Sequence, residues 1–176
     1  TFLTLRPHPL KRNSNTIMNH DLKYVTAEEA LKLISSGNRI FVHGSAATPT
    51  YLLNKMAENA SLWTDVEVIS ISVFGDIKIA APGYQKNFQI NSLFVSAPLR
   101  EAVKAGRADY LPVFLSDIPD LFRNGALDLD VAIVQVSLPD KHGYVSLGTS
   151  VDIARAAVNQ AKKVIAHVNP QMPRTH

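Results

Sequence analysis

Two stretches of this chain combine polar side chains with small residues in an order that chemistry could use. The first is His43-Gly44-Ser45-Ala46-Ala47-Thr48-Pro49. Small residues let a ligand approach backbone amides at the start of a helix, where the dipole favours an anion or a developing oxyanion. The plainer reading is a tight strand-to-helix turn, with Thr48 as cap and Pro49 at the first helical position. No Gly-Lys-Ser/Thr follows, so this is not a P-loop, and G-x-G-x-x-G occurs nowhere in the chain. His43 stands beside the loop, either as a ligand contact or as a core histidine satisfied by the protein.

The second stretch is Leu138-Pro139-Asp140-Lys141-His142-Gly143-Tyr144, followed by Ser146-Leu147-Gly148-Thr149-Ser150-Val151-Asp152. Asp152 sits where a nucleophile elbow, G-x-S-x-G, needs its second glycine, which argues against a serine hydrolase. Ser150 is expected instead to cap a helix, with Asp152 in its first turn. Asp140 and His142 lie two apart, and no H-x-x-x-H or H-E-x-x-H spacing occurs, so a metal centre is not expected. The glutamates are Glu28, Glu29, Glu58, Glu67 and Glu101. Each falls on a helix or strand edge in ordinary solvated company, and none reads as a poised catalytic carboxylate. No catalytic residue is assigned within the chain.

The elements that must position these stretches follow from hydrophobic pattern and capping. Thr26-Ala27-Glu28-Glu29 is a capping box that opens a helix running to about Ser36. A short buried strand spans Arg39–His43, and a helix from Pro49 reaches about Ala60. Strands are expected over Val66–Val73 and Phe88–Val95, with a loop over Phe74–Asn87 between them. Pro98 opens a helix closed by Gly106, and Leu111–Leu115 reads as a short or edge strand because of Pro112. A short helix follows over Ile118–Asn124, then the continuous apolar strand Val131–Val136, a helix over Ser150–Gln160 and a strand over Val164–Val168. Strands alternating with helices predict an α/β fold: an open, mostly parallel sheet with helices on both faces. Ligands in such folds bind past the carboxyl ends of the strands. The loops of interest are therefore Gly44–Thr48, Phe74–Gly83, Leu138–Gly148 and Asn169–His176.

Composition narrows the classes. The chain has 176 residues, 46% hydrophobic and 19% charged, with no cysteine. It can bury a core, and it offers neither disulfides, nor thiolate metal sites, nor a cysteine nucleophile. No apolar run approaches the roughly 18 residues of a membrane helix, and the mean hydropathy of +0.02 is too high for a disordered chain. The net charge of +3 and pI of about 9.2 invite a nucleic-acid reading. Arg6, Lys11 and Arg12 supply all of that excess, and residues 21–176 are balanced in charge, so no nucleic-acid partner is expected.

Residues 1–20 read as a leader without apolar period, broken by Pro7 and Pro9. We take 1–17 as an extension ahead of a start at Met18. A mitochondrial transit segment would be similarly acid-free, but the prolines oppose the amphipathic helix it needs. Residues 21–176 then form one domain, expected in the cytoplasm. The absence of an initial Met and the ending Pro-Arg-Thr-His suggest a fragment.

The run Asp130-Val131-Ala132-Ile133-Val134-Gln135-Val136-Ser137-Leu138-Pro139-Asp140-Lys141-His142-Gly143-Tyr144-Val145-Ser146-Leu147-Gly148 resembles the acetyl-CoA hydrolase/transferase family, which are class I CoA-transferases acting on substrates such as 4-hydroxybutyrate, butyrate and acetate. Gly44–Pro49, Ser96–Gly106 and Val168–His176 agree with it. The resemblance implies a subunit of two related α/β domains in a homo-oligomer, with acyl-CoA and small carboxylic acids as substrates and no cofactor beyond coenzyme A as substrate. It implies ping-pong transfer through a glutamyl-CoA thioester. It also implies that the glutamate and most coenzyme A contacts lie in a C-terminal domain outside this chain. This chain is then expected to be inactive alone and to present an apolar face to that domain. Its share of the acyl pocket is expected from His43, Gly44, Ser45, Ala46, Ala47 and Thr48, with Gln171 and Arg174 from the final loop. The competing readings are a hydrolase of the same family, a phosphate-binding α/β domain, and a non-catalytic domain or separate subunit.

Overall fold

A computed structural model describes residues 2–5 and 23–175. Eight strands form one sheet: β1 (Phe2–Leu5), β2 (Lys23–Val25), β3 (Arg39–Val42), β4 (Val66–Ser70), β5 (Phe88–Ser92), β6 (Ala108–Tyr110), β7 (Val131–Val136) and β8 (Lys163–Val168). Their order is β2-β1-β8-β7-β3-β4-β5-β6. The six strands from β8 to β6 are parallel, and β1 and β2 add to the β8 edge antiparallel. The helices are α1 (Ala27–Leu31), α2 (Thr50–Glu58), α3 (Arg100–Lys104), α4 (Ile118–Arg123) and α5 (Ala154–Gln160).

The expected α/β class is the observed one, and alternation along the strands explains its two layers. On one face, Ile40, Val42, Val66, Val68, Ile133 and Ile165 pack with Leu52, Leu53 and Met56 of α2 and with Ala30 and Leu31 of α1. On the other face, Phe41, Ile69, Ala132, Val134 and Val164 pack with Ile118 and Phe122 of α4 and with Ala154, Ala157 and Val158 of α5. β7 is buried at every position, as its unbroken apolar character requires. The capping box at Thr26 is formed: its hydroxyl accepts the Glu29 amide at 3.2 Å, and Glu29 accepts the Thr26 amide at 3.0 Å.

Several expectations are corrected. Residues 2–5, assigned to a leader, form β1 in the sheet; Phe2↔His167 and Leu3↔Ala166 are paired, and the Phe2 ring lies 4.8 Å from that of His167. Alternate apolar residues in Phe2–Leu5 suffice for an added strand on a sheet edge. Residues 6–22, with the Lys11-Arg12 pair and Met18, lie outside the described residues. Leu111–Leu115 is not a strand: β6 ends at Tyr110, and the last bond to β5 runs from the Leu111 amide to the Ser92 carbonyl at 3.0 Å. Val66–Val73 and Phe88–Val95 each stop pairing earlier, at Ser70 and Ser92. Thr48 does not cap α2, which begins at Thr50 after a turn of 3-10 helix over Ser45–Ala47. Ser150 does not cap α5 either: the helix begins only at Ala154, its N-cap residue is Ile153 with no side-chain cap, and Asp152 just ahead of it accepts the amides of Ile153 and Ala154 at 2.6 and 3.3 Å.

Candidate functional site

The chain steps outward from β3 through β4 and β5 to β6, then returns to lay β7 on the other side of β3. The crossover helix after β3, α2, covers one face, and the one after β7, α5, covers the other. Loops leaving β3 and β7 therefore part in opposite directions at the carboxyl ends of these strands, the switch point where open α/β sheets bind ligands. The loop Gly44–Thr48 leaves β3 at that point.

Close packing shapes the loop. A Cβ on Gly44 would lie 2.7 Å from the Ser72 carbonyl oxygen and 2.8 Å from the Ile71 side chain, so only glycine fits. Ser45 takes a positive φ of 52°, and its amide donates to the Ser72 carbonyl. The Thr48 hydroxyl donates to the Ser45 carbonyl at 2.7 Å and accepts the Phe74 amide at 3.0 Å, which ties the loop to the segment after β4. Ala46 is exposed at the tip, and its amide has no acceptor among the described residues.

His43 lies beneath this loop and is fully buried. Its Nδ1 accepts the Gln135 amide at 3.2 Å, which leaves the proton on Nε2 for donation to the Ser150 carbonyl at 2.6 Å. Burial pushes its pKa below the ordinary value, against the opposing pull of the Ser150 carbonyl and Asp152. Both ring nitrogens are thus spent within the protein, and His43 is the satisfied core histidine of the two readings.

Gln135 was not singled out from sequence. Its Nε2 donates to the Thr48 carbonyl at 3.3 Å, and its Oε1 accepts Asn169 Nδ2 at 2.5 Å. Asn169 in turn accepts the Gln171 amide at 2.9 Å. The signal was present: Gln135 is the single polar residue in the otherwise apolar run Val131–Val136.

The Asp140–Gly148 excursion closes on the final loop. Asp140 accepts the amides of His142 and Tyr144, both at 2.9 Å, and pairs with Arg174 Nη2 at 2.9 Å; Arg174 Nη1 donates to the Tyr144 carbonyl at 3.0 Å. Partial desolvation opposes ionisation of Asp140, but the two amides and the Arg174 charge hold its pKa below the ordinary range. The Ser146 hydroxyl accepts the Gly148 and Thr175 amides, and Thr175 Oγ1 donates to the Gly148 carbonyl at 2.7 Å. A Cβ on Gly148 would overlap Met172 Sδ.

The structure thus gathers the Gly44–Thr48 loop, Ser150 and Asn169–Gln171 around Gln135. Arg174, expected at the pocket, is committed to Asp140, and the Gln171 side chain is exposed. Of the glutamates, Glu29 serves the capping box, and Glu58, Glu67 and Glu101 pair with Lys55, Arg39 and Lys104. Past β4, β5 and β6 the same sheet end carries exposed Phe74, Phe94, Tyr110, Phe114 and Leu115. Most of these line or flank a groove of about 720 Å³ floored by Ile71, Leu93 and Ile118.

Comparison with known proteins gives the family and the fold. The family model described as the acetyl-CoA hydrolase/transferase N-terminal domain matches residues 10–176, so β1 precedes the matched region. The 4-hydroxybutyrate coenzyme A transferase of Clostridium kluyveri is 40% identical over 153 residues, which are 87% of this chain and 36% of that protein. The succinyl-CoA:acetate/propanoyl-CoA:succinate CoA transferase of Fasciola hepatica is 40% identical over 151 residues, 84% of this chain and 31% of that protein. Among solved structures, RipA from Yersinia pestis superposes with a TM-score of 0.76 at 28% identity, over 86% of this chain and 38% of that one. The 4-hydroxybutyrate CoA-transferase from Porphyromonas gingivalis superposes with a TM-score of 0.70 at 28% identity, over 85% and 34%. The chain spans about a third of the length of these relatives. It belongs to the acetyl-CoA hydrolase/transferase family.

Proposed function

We propose that this chain is the N-terminal domain of an acyl-CoA:carboxylate CoA-transferase. The observation that carries the reading is the Gly44–Thr48 loop at the β3/β7 switch point, in a chain 40% identical to two CoA-transferases. A glutamate carboxylate from a further domain attacks the acyl-CoA carbonyl and expels the coenzyme A thiolate, leaving an acyl-glutamyl anhydride. The thiolate attacks the glutamyl carbonyl and releases the first carboxylate, which leaves a glutamyl-CoA thioester. The incoming carboxylate reverses both steps. Splitting the transfer avoids direct exchange between two poor partners.

This chain's part is one wall of the acyl pocket. The Ala46 amide, without an acceptor among the described residues, is the donor available to an oxygen that gains charge during attack. Gly44, Ser45, Ala47 and Thr48 hold that amide in place, and His43 supports them from below. Gln171 is exposed in the turn after β8 that Asn169 ties to Gln135, and Arg174 keeps the final loop seated through Asp140. The apolar groove around Phe94 and Phe114 suits a covering domain, because a patch of that size is seldom left in water. The reading carries with it a homo-oligomeric cytoplasmic enzyme with coenzyme A as substrate and no resident cofactor. No helix among the described residues is long and apolar enough to cross a membrane.

The test is to incubate the full-length enzyme with acyl-CoA and then with borohydride, and to map the modified residue. Reduction of one glutamate outside residues 1–176 is the expected result. Absence of an enzyme–CoA adduct with every acyl-CoA tried overturns the transferase. Acyl-CoA consumption that depends on water and not on added carboxylate identifies a hydrolase.

A further inference from the structure

A buried primary amide in the middle of an all-apolar strand needs a reason. Gln135 is flanked by Val134 and Val136, and all three are buried. A methionine or leucine would pack there without any polar group to satisfy. Gln135 instead reaches two loops that are far apart in sequence. Its amide nitrogen holds the carbonyl of Thr48, the last residue of the loop after β3, at 3.3 Å. Its amide oxygen holds Asn169, the first residue after β8, at 2.5 Å. Its backbone amide also fixes the tautomer of His43, whose other nitrogen holds Ser150. The loops after β3, β7 and β8 are joined through this one residue.

We infer that Gln135 is a positioning residue that couples the Gly44–Thr48 loop to the Asn169–Gln171 turn, so that the two segments hold one geometry. The inference deepens the CoA-transferase reading and rests on it for its kinetic consequence. An amide is needed because the two neighbours make opposite demands: Thr48 offers an acceptor and Asn169 a donor. Each bond orients the other, since the Asn169 bond decides which end of the Gln135 amide faces Thr48. The coupling acts through position: a reacting carbonyl displaced by about an ångström from its best placement against the Ala46 amide loses much of its advantage.

The test uses two variants of the full-length enzyme. Gln135→Met keeps the length of the side chain and loses both the donor to Thr48 and the acceptor for Asn169. Asn169→Ala removes the donor to Gln135 and leaves the Thr48 contact unaided. Each is expected to lower kcat by about 10- to 100-fold with KM for acyl-CoA within about twofold. The double variant is expected to be little worse than either single one, because both break one linkage. Hydrogen exchange, with or without turnover, should show faster exchange across residues 44–48 in Asn169→Ala, although Asn169 is bonded to none of them. Wild-type kcat in both variants, or strictly multiplicative losses in the double variant, overturns the inference. If the wild-type enzyme transfers no coenzyme A, the functional reading fails by itself. Exchange then decides the coupling, and unchanged rates over residues 44–48 in Asn169→Ala overturn it.

Discussion

His43 Nε2 lies 2.6 Å from the Ser150 carbonyl oxygen and bridges the two loops that diverge at the β3/β7 switch point. Residues 107 positions apart are thereby held together inside the protein, with no water available to replace either partner. Removing the imidazole leaves the Ser150 carbonyl and the Gln135 amide buried without a partner. His43→Ala should therefore cost about 3 kcal/mol, from unmet hydrogen-bonding groups and the cavity together. Urea unfolding measures it, and a loss below about 1 kcal/mol would remove this bridge from the account.

The histidines also set a pH dependence. Burial lowers the pKa of both His43 and His167 from the ordinary 6.5. In the folded protein they stay neutral at a pH where the unfolded chain takes up protons. The unfolded state then binds more protons, so this part of the stability is complete above about pH 6.5 and is lost as pH falls toward the folded values. His167 Nδ1 is buried without a partner among the described residues, and its ring packs on Phe2 and Tyr51. His167→Phe should keep the ring contacts, flatten the pH slope between 7 and 5, and leave stability near neutral pH the same or higher. Unfolding free energies across that range check both statements.

Gly44 tests the close approach of the loop to the strand beside it. An alanine Cβ would meet the Ser72 carbonyl at 2.7 Å, and backbone cannot swing aside as a side chain would. Gly44→Ala should cost about 1–3 kcal/mol, with the upper end expected. An unchanged urea midpoint would show that the loop relaxes freely.

Gly148 presses on a side chain instead. Its added Cβ would overlap Met172 Sδ, and its φ of 71° disfavours alanine independently. Gly148→Ala should destabilise by about 2–4 kcal/mol, from steric overlap and backbone strain together. Adding Met172→Ala should recover the steric share only, so the double variant should be less than additive.

Arg174 is expected to act through Asp140. With the pair part-exposed, Arg174→Ala should leave the urea midpoint nearly unchanged. The measurable change is at Asp140, whose carboxyl should titrate closer to the ordinary range once the guanidinium is gone. Carbon-13 NMR of the Asp140 carboxyl reads it, and an unmoved titration would mean that the amides of His142 and Tyr144 suffice.

Much of this was legible in the chain before folding. β7 was readable to the residue, because six buried positions in a row leave one interpretation. The capping box at Thr26 and the run Asp140–Gly148 depend on neighbours a few positions apart, and sequence records such neighbours directly. Pairing limits were not legible at Ser70 and Ser92, because a strand ends where its partner leaves, and the partner is distant. Phe2–Leu5 shows the same limit: four residues gain a strand only by meeting the free edge of β8.

Sequence by itself determined the α/β class, the glycine-bearing loop after β3 and the family that the run after Asp130 resembles. Tertiary structure decided what the polar residues do. His43 became a core bridge, Arg174 the partner of Asp140, and Gln135 the meeting point of Thr48 and Asn169. The physical reason is that periodicity and capping are local, whereas a buried polar group takes its meaning from whatever donor or acceptor the fold brings within 3 Å, here from residues 34 to 107 positions away.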